Sequence, residues 1–141
     1  MEFSSCLNKQ EKLKAQFSSF KASDQKYHAI MEMGRKLEPL PSQYKTPANL
    51  VKGCQSNLYL KVSFENGVMH YIAASDALIS AGLAALLIAA YQNEPPEAIL
   101  KCPPLFLKEV GILESLSPSR SNGVRSLYLK MHEHALLAIA S

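Results

Sequence analysis

The 141-residue chain has no tryptophan, only six glycines and three cysteines, Cys6, Cys54 and Cys102. An odd number of cysteines with no Cys-x-x-Cys pair argues against a disulfide framework and against a zinc ribbon. Met1–Phe20 is polar and charged and holds no apolar segment of signal-peptide type. The expectation is a cytoplasmic protein with free thiols in a reducing compartment. His132 and His134 are close in sequence, but two positions apart on a helix they point in different directions. Spacing alone therefore writes no metal site, and no cofactor-binding motif is present.

Charge is also scarce, at 19% of residues, with a net value of +3. That is too weak for a nucleic-acid footprint. The densest basic stretch, Lys9, Lys12, Lys14, Lys21 and Lys26, is broken by Glu11 and Asp24 and reads as a solvated helix face. The uncharged, apolar-leaning run Ala77 to Tyr91 spans about 22 Å as a helix at ~1.5 Å per residue. A bilayer core needs about 30 Å. The run reads as a central buried helix, and no membrane association is expected.

What is present is 48% hydrophobic residues, enough for one folded domain over residues 1–141 with no metal or disulfide staple. Residues 1–8 are expected to be flexible, with Cys6 in a frayed end. Leu13, Phe17 and Phe20 predict a short helix over residues 9–21. Ser23 or Asp24 is expected to cap a second helix bearing Tyr27, Ile30, Met31 and Leu37, with Gly34 near its end or at a close packing point. Pro39, Pro41 and Pro47 make residues 39–47 a loop. Leu58 to Glu65 alternates as a half-buried strand, Asn66-Gly67 signals a type I′ hairpin, and Val68 to Ala73 returns. An isolated hairpin is marginal, so a further strand is expected, with Leu50–Lys52 as its candidate. Ser75 or Asp76 is expected to cap the central helix. Two proline-led turns follow, over residues 97–100 and 105–110. Residues 117–123 read as a turn before a last helix carrying Val124, Leu127, Tyr128, Met131, Ala135 and Ile139.

Cys54 is the residue to weigh for chemistry. Gly53, Gln55, Ser56 and Asn57 surround it, next to the proline-bearing loop. From this context it is either a semi-buried inert thiol or a nucleophile needing positive charge or backbone N–H groups nearby. Lys45 and Lys52 are its nearest cations in sequence. His70, in the returning strand, is the one histidine to name as a distant base, although a lone strand histidine matches no catalytic spacing.

The run Val51-Lys52-Gly53-Cys54-Gln55-Ser56, followed by an alternating strand, resembles the Gly-Cys-Gln-Ser signature of the SufE family. The resemblance begins near Tyr27 with Met33-Gly34-Arg35-Lys36-Leu37. It continues through Ala74-Ser75-Asp76-Ala77 and Gly82-Leu83. It ends with Leu116-Ser117-Pro118-Ser119-Arg120-Ser121-Asn122-Gly123, which is similar to the family's Leu-Thr-Pro-Ser-Arg-Ser-X-Gly. Tyr59 stands where family members often carry tryptophan. Residues 1–20 carry no family motif, and the resemblance assigns no role to Cys6 or Cys102.

The resemblance implies a compact α+β domain, a small antiparallel sheet with helices packed on it, in the SufE/IscU-like class. It implies a sulfur carrier, not an enzyme in its own right. Cys54 would accept persulfide sulfur from a SufS-type cysteine desulfurase, stimulate it, and pass sulfur toward a SufB-type scaffold for iron–sulfur cluster assembly. Pyridoxal phosphate would belong to the desulfurase. Gly53, Gln55 and Ser56 would hold the loop. Asp76 matches a family position at the start of the central helix, where a helix cap is the plain structural reading. Arg120 matches a family arginine implied to lie near the cysteine loop and suited to a thiolate or persulfide. Reactive persulfide implies a loop that tucks Cys54 away at rest and extends it to the partner. Monomer and homodimer both remain open. Two other classes compete. An iron–sulfur scaffold needs several converging thiolates, and a thiol hydrolase needs a base beside its nucleophile; neither is written here.

Overall fold

A computed structural model describes residues 3–141; Met1 and Glu2, part of the stretch expected to be flexible, lie outside the described residues. Six helices and one hairpin run in the order α1 (Ser4–Ser18), α2 (Ser23–Arg35), β1 (Leu58–Glu65), β2 (Val68–Ser75), α3 (Leu78–Tyr91), α4 (Pro96–Lys101), α5 (Phe106–Glu109) and α6 (Pro118–Ala140). Short 3-10 turns at Ser42–Tyr44, Pro47–Asn49 and Leu113–Ser115 occupy the connections. The architecture is α+β.

The uncharged run forms α3, which is buried nearly all round and serves as the axis of the core. Helix α2 packs along it. A Cβ on Gly82 would lie 2.1 Å from the Ile30 carbonyl oxygen, so the two backbones touch there. Gly34 is the matching close point on α2, 2.7 Å from the Gly82 nitrogen by the same construction. Helices α1 and α6 and strand β2 cover the rest of α3.

The strands pair antiparallel with Leu58 opposite Ser75 and Glu65 opposite Val68. Asn66 and Gly67 both take positive φ, as a type I′ turn requires. Leu58, Leu60, Met69, Tyr71 and Ala73 are buried on the inner face. The alternation runs out toward the tip of β1, where Phe64 is 43% exposed although Met69 opposite it is buried.

The expected third strand does not form. Leu50 makes a single bridge to Tyr59, and the Val51 N–H donates to the Leu58 carbonyl at 2.8 Å. On the other edge, the Gln92 side chain stands in for a strand. Its Oε1 accepts from the Tyr71 N–H at 2.8 Å and its Nε2 donates to the Tyr71 carbonyl at 2.9 Å. Asn93 and Glu94 then pair with Met69 through backbone bonds. The backbone groups at both edges are satisfied piecemeal.

The chain start is not frayed at Cys6. Helix α1 begins at Ser4, and Cys6 is fully buried against α3, its thiol donating to the Ala90 carbonyl at 3.3 Å. Lys9 pairs with Glu94 at 2.5 Å and Ser5 donates to the same carboxylate at 2.8 Å. Glu94 is 3% exposed, and a buried carboxylate needs such partners. Lys9 is therefore not part of a purely solvated face.

One expected cap is also displaced. Ala22, not Ser23 or Asp24, holds the cap position of α2, and Gln25 Oε1 accepts from the Lys21 and Ala22 N–H groups. The expected turn at residues 117–123 is mostly helix. Ser117 caps α6, its hydroxyl accepting from the Arg120 N–H at 3.4 Å, and Pro118 takes the first helical position.

Candidate functional site

Cys54 lies in the loop between the Pro47–Asn49 turn and β1. Gly53 enters that loop at φ +90°, a conformation that side chains resist. A Cβ there would also lie 2.5 Å from Ser126 Oγ on α6. Glycine thus lets the loop cross close over α6 and turn Cys54 inward.

At the far end of the loop, Asn57 and Asp76 exchange hydrogen bonds. The Asn57 N–H donates to Asp76 Oδ1 at 3.1 Å, and the Asp76 N–H donates to the Asn57 carbonyl at 3.2 Å. Asp76 is therefore not the cap of α3. Ala77 holds that position, and its N–H is taken by Ser75 Oγ at 3.2 Å. The Asp76 carboxylate is spent on the cysteine loop.

Between these hinges, Cys54 is half-buried and opens onto a cavity of about 210 Å³. Leu58, Ile79, Leu83 and Leu127 give it an apolar floor. Ser80 and Ser56 add hydroxyls. The sulfur is 3.6 Å from Ser56 Oγ, which is 2.6 Å from Ser80 Oγ. On the helix side, a Cβ on Gly123 would come to 3.2 Å from the sulfur. Arg120 lines the same cavity, one turn before Gly123 on α6.

Two positive features border the cavity. The N-terminal turn of a 23-residue helix borders the cavity, where backbone N–H groups and the helix dipole are positive. Arg120 adds a full charge and makes no ion pair among the described residues. Among the described residues the lining offers Cys54 as its one thiol and holds no histidine or carboxylate.

The structure thus brings Cys54, Gln55, Ser56 and Arg120 to one cavity, with Gly53 and Asp76 at the ends of the loop. Lys45, Lys52 and His70 do not line it. Lys45 sits beside Asn57, Tyr59 and Asp76, and Lys52 faces a separate groove with Lys130 and Glu133. Among the described residues, no three His, Cys, Asp or Glu side chains converge to hold a metal ion. No described helix is long and apolar enough to cross a membrane.

Three contributors were not legible as site residues: Ser80, Ser126 and the apolar floor. Ser80 had one signal, a hydroxyl inside an otherwise apolar helix. Ser126 had none, because its contact depends on how the loop crosses α6.

The profile of the SufE family, described as an Fe–S metabolism associated domain, matches residues 11–135. A SufE-like protein 1, chloroplastic/mitochondrial, of Arabidopsis thaliana is 39% identical over 121 residues, covering 85% of this chain and 33% of its own length. The chain thus spans about a third of that relative. An uncharacterised SufE-like protein of Synechocystis is 36% identical over 79% of this chain and 70% of its own. Another, of Rhizobium etli, is 35% identical over 84% and 83%. In fold, the chain is similar to a solution structure of a hypothetical protein from Thermus thermophilus, with TM-score 0.78, 24% identity and coverage of 94% and 97%.

Proposed function

This chain belongs to the SufE family, associated with Fe–S metabolism, and from that premise we propose that it is a carrier that takes persulfide sulfur onto Cys54 from a cysteine desulfurase. The observation that carries the reading is the cavity itself: one thiol, in a loop, at a cavity that Arg120 and a helix N-terminus also line.

The chemistry parallels thiol–disulfide exchange. The Cys54 thiolate attacks the outer sulfur of the desulfurase persulfide. The bond between the two persulfide sulfurs breaks, the desulfurase thiolate leaves, and Cys54 holds the sulfane sulfur as its own persulfide. No net oxidation or reduction occurs. The persulfide is itself an anion near neutrality, so Arg120 and the α6 terminus suit the product as well as the attacking thiolate. The apolar floor beneath Cys54 limits water around the loaded sulfur. Delivery to a SufB-type scaffold would follow by a second exchange of the same kind. We place the protein in a reducing, cytoplasmic setting, where Cys54 stays free to react.

A carrier is preferred to a metal-cluster scaffold and to a hydrolase by one feature. Among the described residues the cavity gives Cys54 neither a second thiolate nor a general base. The test is alanine production from cysteine by a purified SufS-type desulfurase, alone and with this protein or its Cys54→Ser variant. Stimulation by the parent chain and none by the variant supports the reading. Equal stimulation by both removes Cys54 from the mechanism.

A further inference from the structure

The loop from Gly53 to Ser56 is tied to the body of the domain by few polar contacts, beside the packing of Cys54 against the core. At one end Gly53 passes close over Ser126, and at the other Asn57 is bonded to Asp76. Between them, among the described residues, one hydrogen bond reaches the body: Ser56 Oγ to Ser80 Oγ, at 2.6 Å. Gln55 makes none.

Ser80 is an unusual residue for its place. It lies in the first turn of α3, is 9% exposed, and sits between Ile79 and Leu83 on the cavity floor. A buried hydroxyl needs a partner, and the partner here is Ser56, on the cysteine loop. When the loop lifts, Ser80 loses that partner until water enters the cavity. Loop release therefore costs the Ser56–Ser80 hydrogen bond, and Cys54, 3.6 Å from Ser56 Oγ, is held with it.

We propose that Ser80 is a positioning residue, a hydroxyl catch reaching from α3 to Ser56 that holds the Cys54 loop in its cavity and limits how often the sulfur is presented. This rests on Cys54 being the working thiol, but the catch acts before any partner binds. The strength of the latch follows from one hydrogen bond, so its removal changes presentation by about three- to tenfold. The pair also explains how the loop re-seats after delivery. Two facing hydroxyls can each donate or accept, so they close without a fixed proton arrangement.

The experiment is labelling of Cys54 in the full chain with a bulky maleimide, quantified by peptide mass spectrometry. Rates are compared at neutral pH, below the alkaline range where stability falls, and each is normalised to the same variant's labelling by the small reagent iodoacetamide, so that a change in ionisation common to both reagents cancels. Ser80→Ala is expected to label Cys54 three- to tenfold faster, and Ser80→Thr, which keeps the hydroxyl, to stay within about twofold of the parent. Ser56→Ala cuts the same bond from the loop side and is expected to match Ser80→Ala; it serves if Ser80→Ala does not fold. Unchanged or slower labelling in the alanine variants, or a fast Ser80→Thr, overturns the catch. No desulfurase is present, so the carrier reading can fail while the catch stands, and the reverse.

Discussion

Asn57 and Asp76 hold each other twice: the Asp76 carboxylate accepts the Asn57 N–H at 3.1 Å, and the Asn57 carbonyl accepts the Asp76 N–H at 3.2 Å. The second bond continues the β1–β2 ladder by one step beyond Leu58 and Ser75. The first is a charged acceptor on the hinge of the cysteine loop. Asp76→Ala removes it at an exposed position, where the expected cost is about 1 kcal/mol. Denaturant unfolding measures that cost. Amide exchange at Asn57 should quicken more than exchange at Leu60, because the loss is local.

Gly82 tests the packing that supports the site. Its Cβ position falls on the Ile30 backbone, which cannot rotate away. Gly82→Ala should therefore destabilise by about 2–3 kcal/mol despite alanine's better helix propensity. Urea midpoints for the two proteins decide this. An unchanged midpoint would mean that α2 and α3 separate cheaply.

Arg120 is exposed, and its side chain makes no ion pair among the described residues. Arg120→Ala should leave stability within about 0.5 kcal/mol. Sulfur acceptance by Cys54 should fall about three- to tenfold, with Arg120→Lys intermediate because charge survives without the planar fork. Initial rates of loading at matched desulfurase concentration check both.

Cys6 gives a pH signature. Burial, with smaller contributions from Cys102 and Glu94, pushes its thiol from 9.0 to about 11. Above pH 9 the unfolded chain releases a proton that the folded chain keeps. Stability is full below that point and falls as pH rises toward 11. Buried Tyr71 and Tyr91, also raised by desolvation, act in the same direction at higher pH. Melting curves between pH 8 and 11 should slope downward, and Cys6→Ala should flatten the first part of that slope.

The hairpin and the central helix were legible because each rests on a local rule. Leu58–Glu65 alternates around an Asn-Gly turn, and the α3 run is uncharged over its whole length. The third strand was not legible, because Gln92 replaces it with a side chain, and a side-chain amide leaves no strand pattern. Asp76 looked like a helix cap because capping and loop-clamping ask for the same residue, and the choice depends on Asn57 across the hairpin. Cys6 looked frayed from its position alone, whereas its burial depends on Ala90 and the Glu94–Lys9 pair. In the site, Cys54 was singled out by its local context and then by a family motif, and Arg120 by a family motif alone. Their meeting at one cavity required knowing that α6 begins at Pro118, which turns residues 118–123 into a helical wall.

The most direct test of the central claim is the intact mass of this protein after incubation with a SufS-type desulfurase and cysteine, followed by peptide mapping. The account predicts a gain of about 32 Da, a persulfide sulfur reversible by reductant, located on Cys54 and absent from Cys54→Ser. Mass gain on Cys6 or Cys102 instead, or none on Cys54 while the desulfurase turns over, would contradict it.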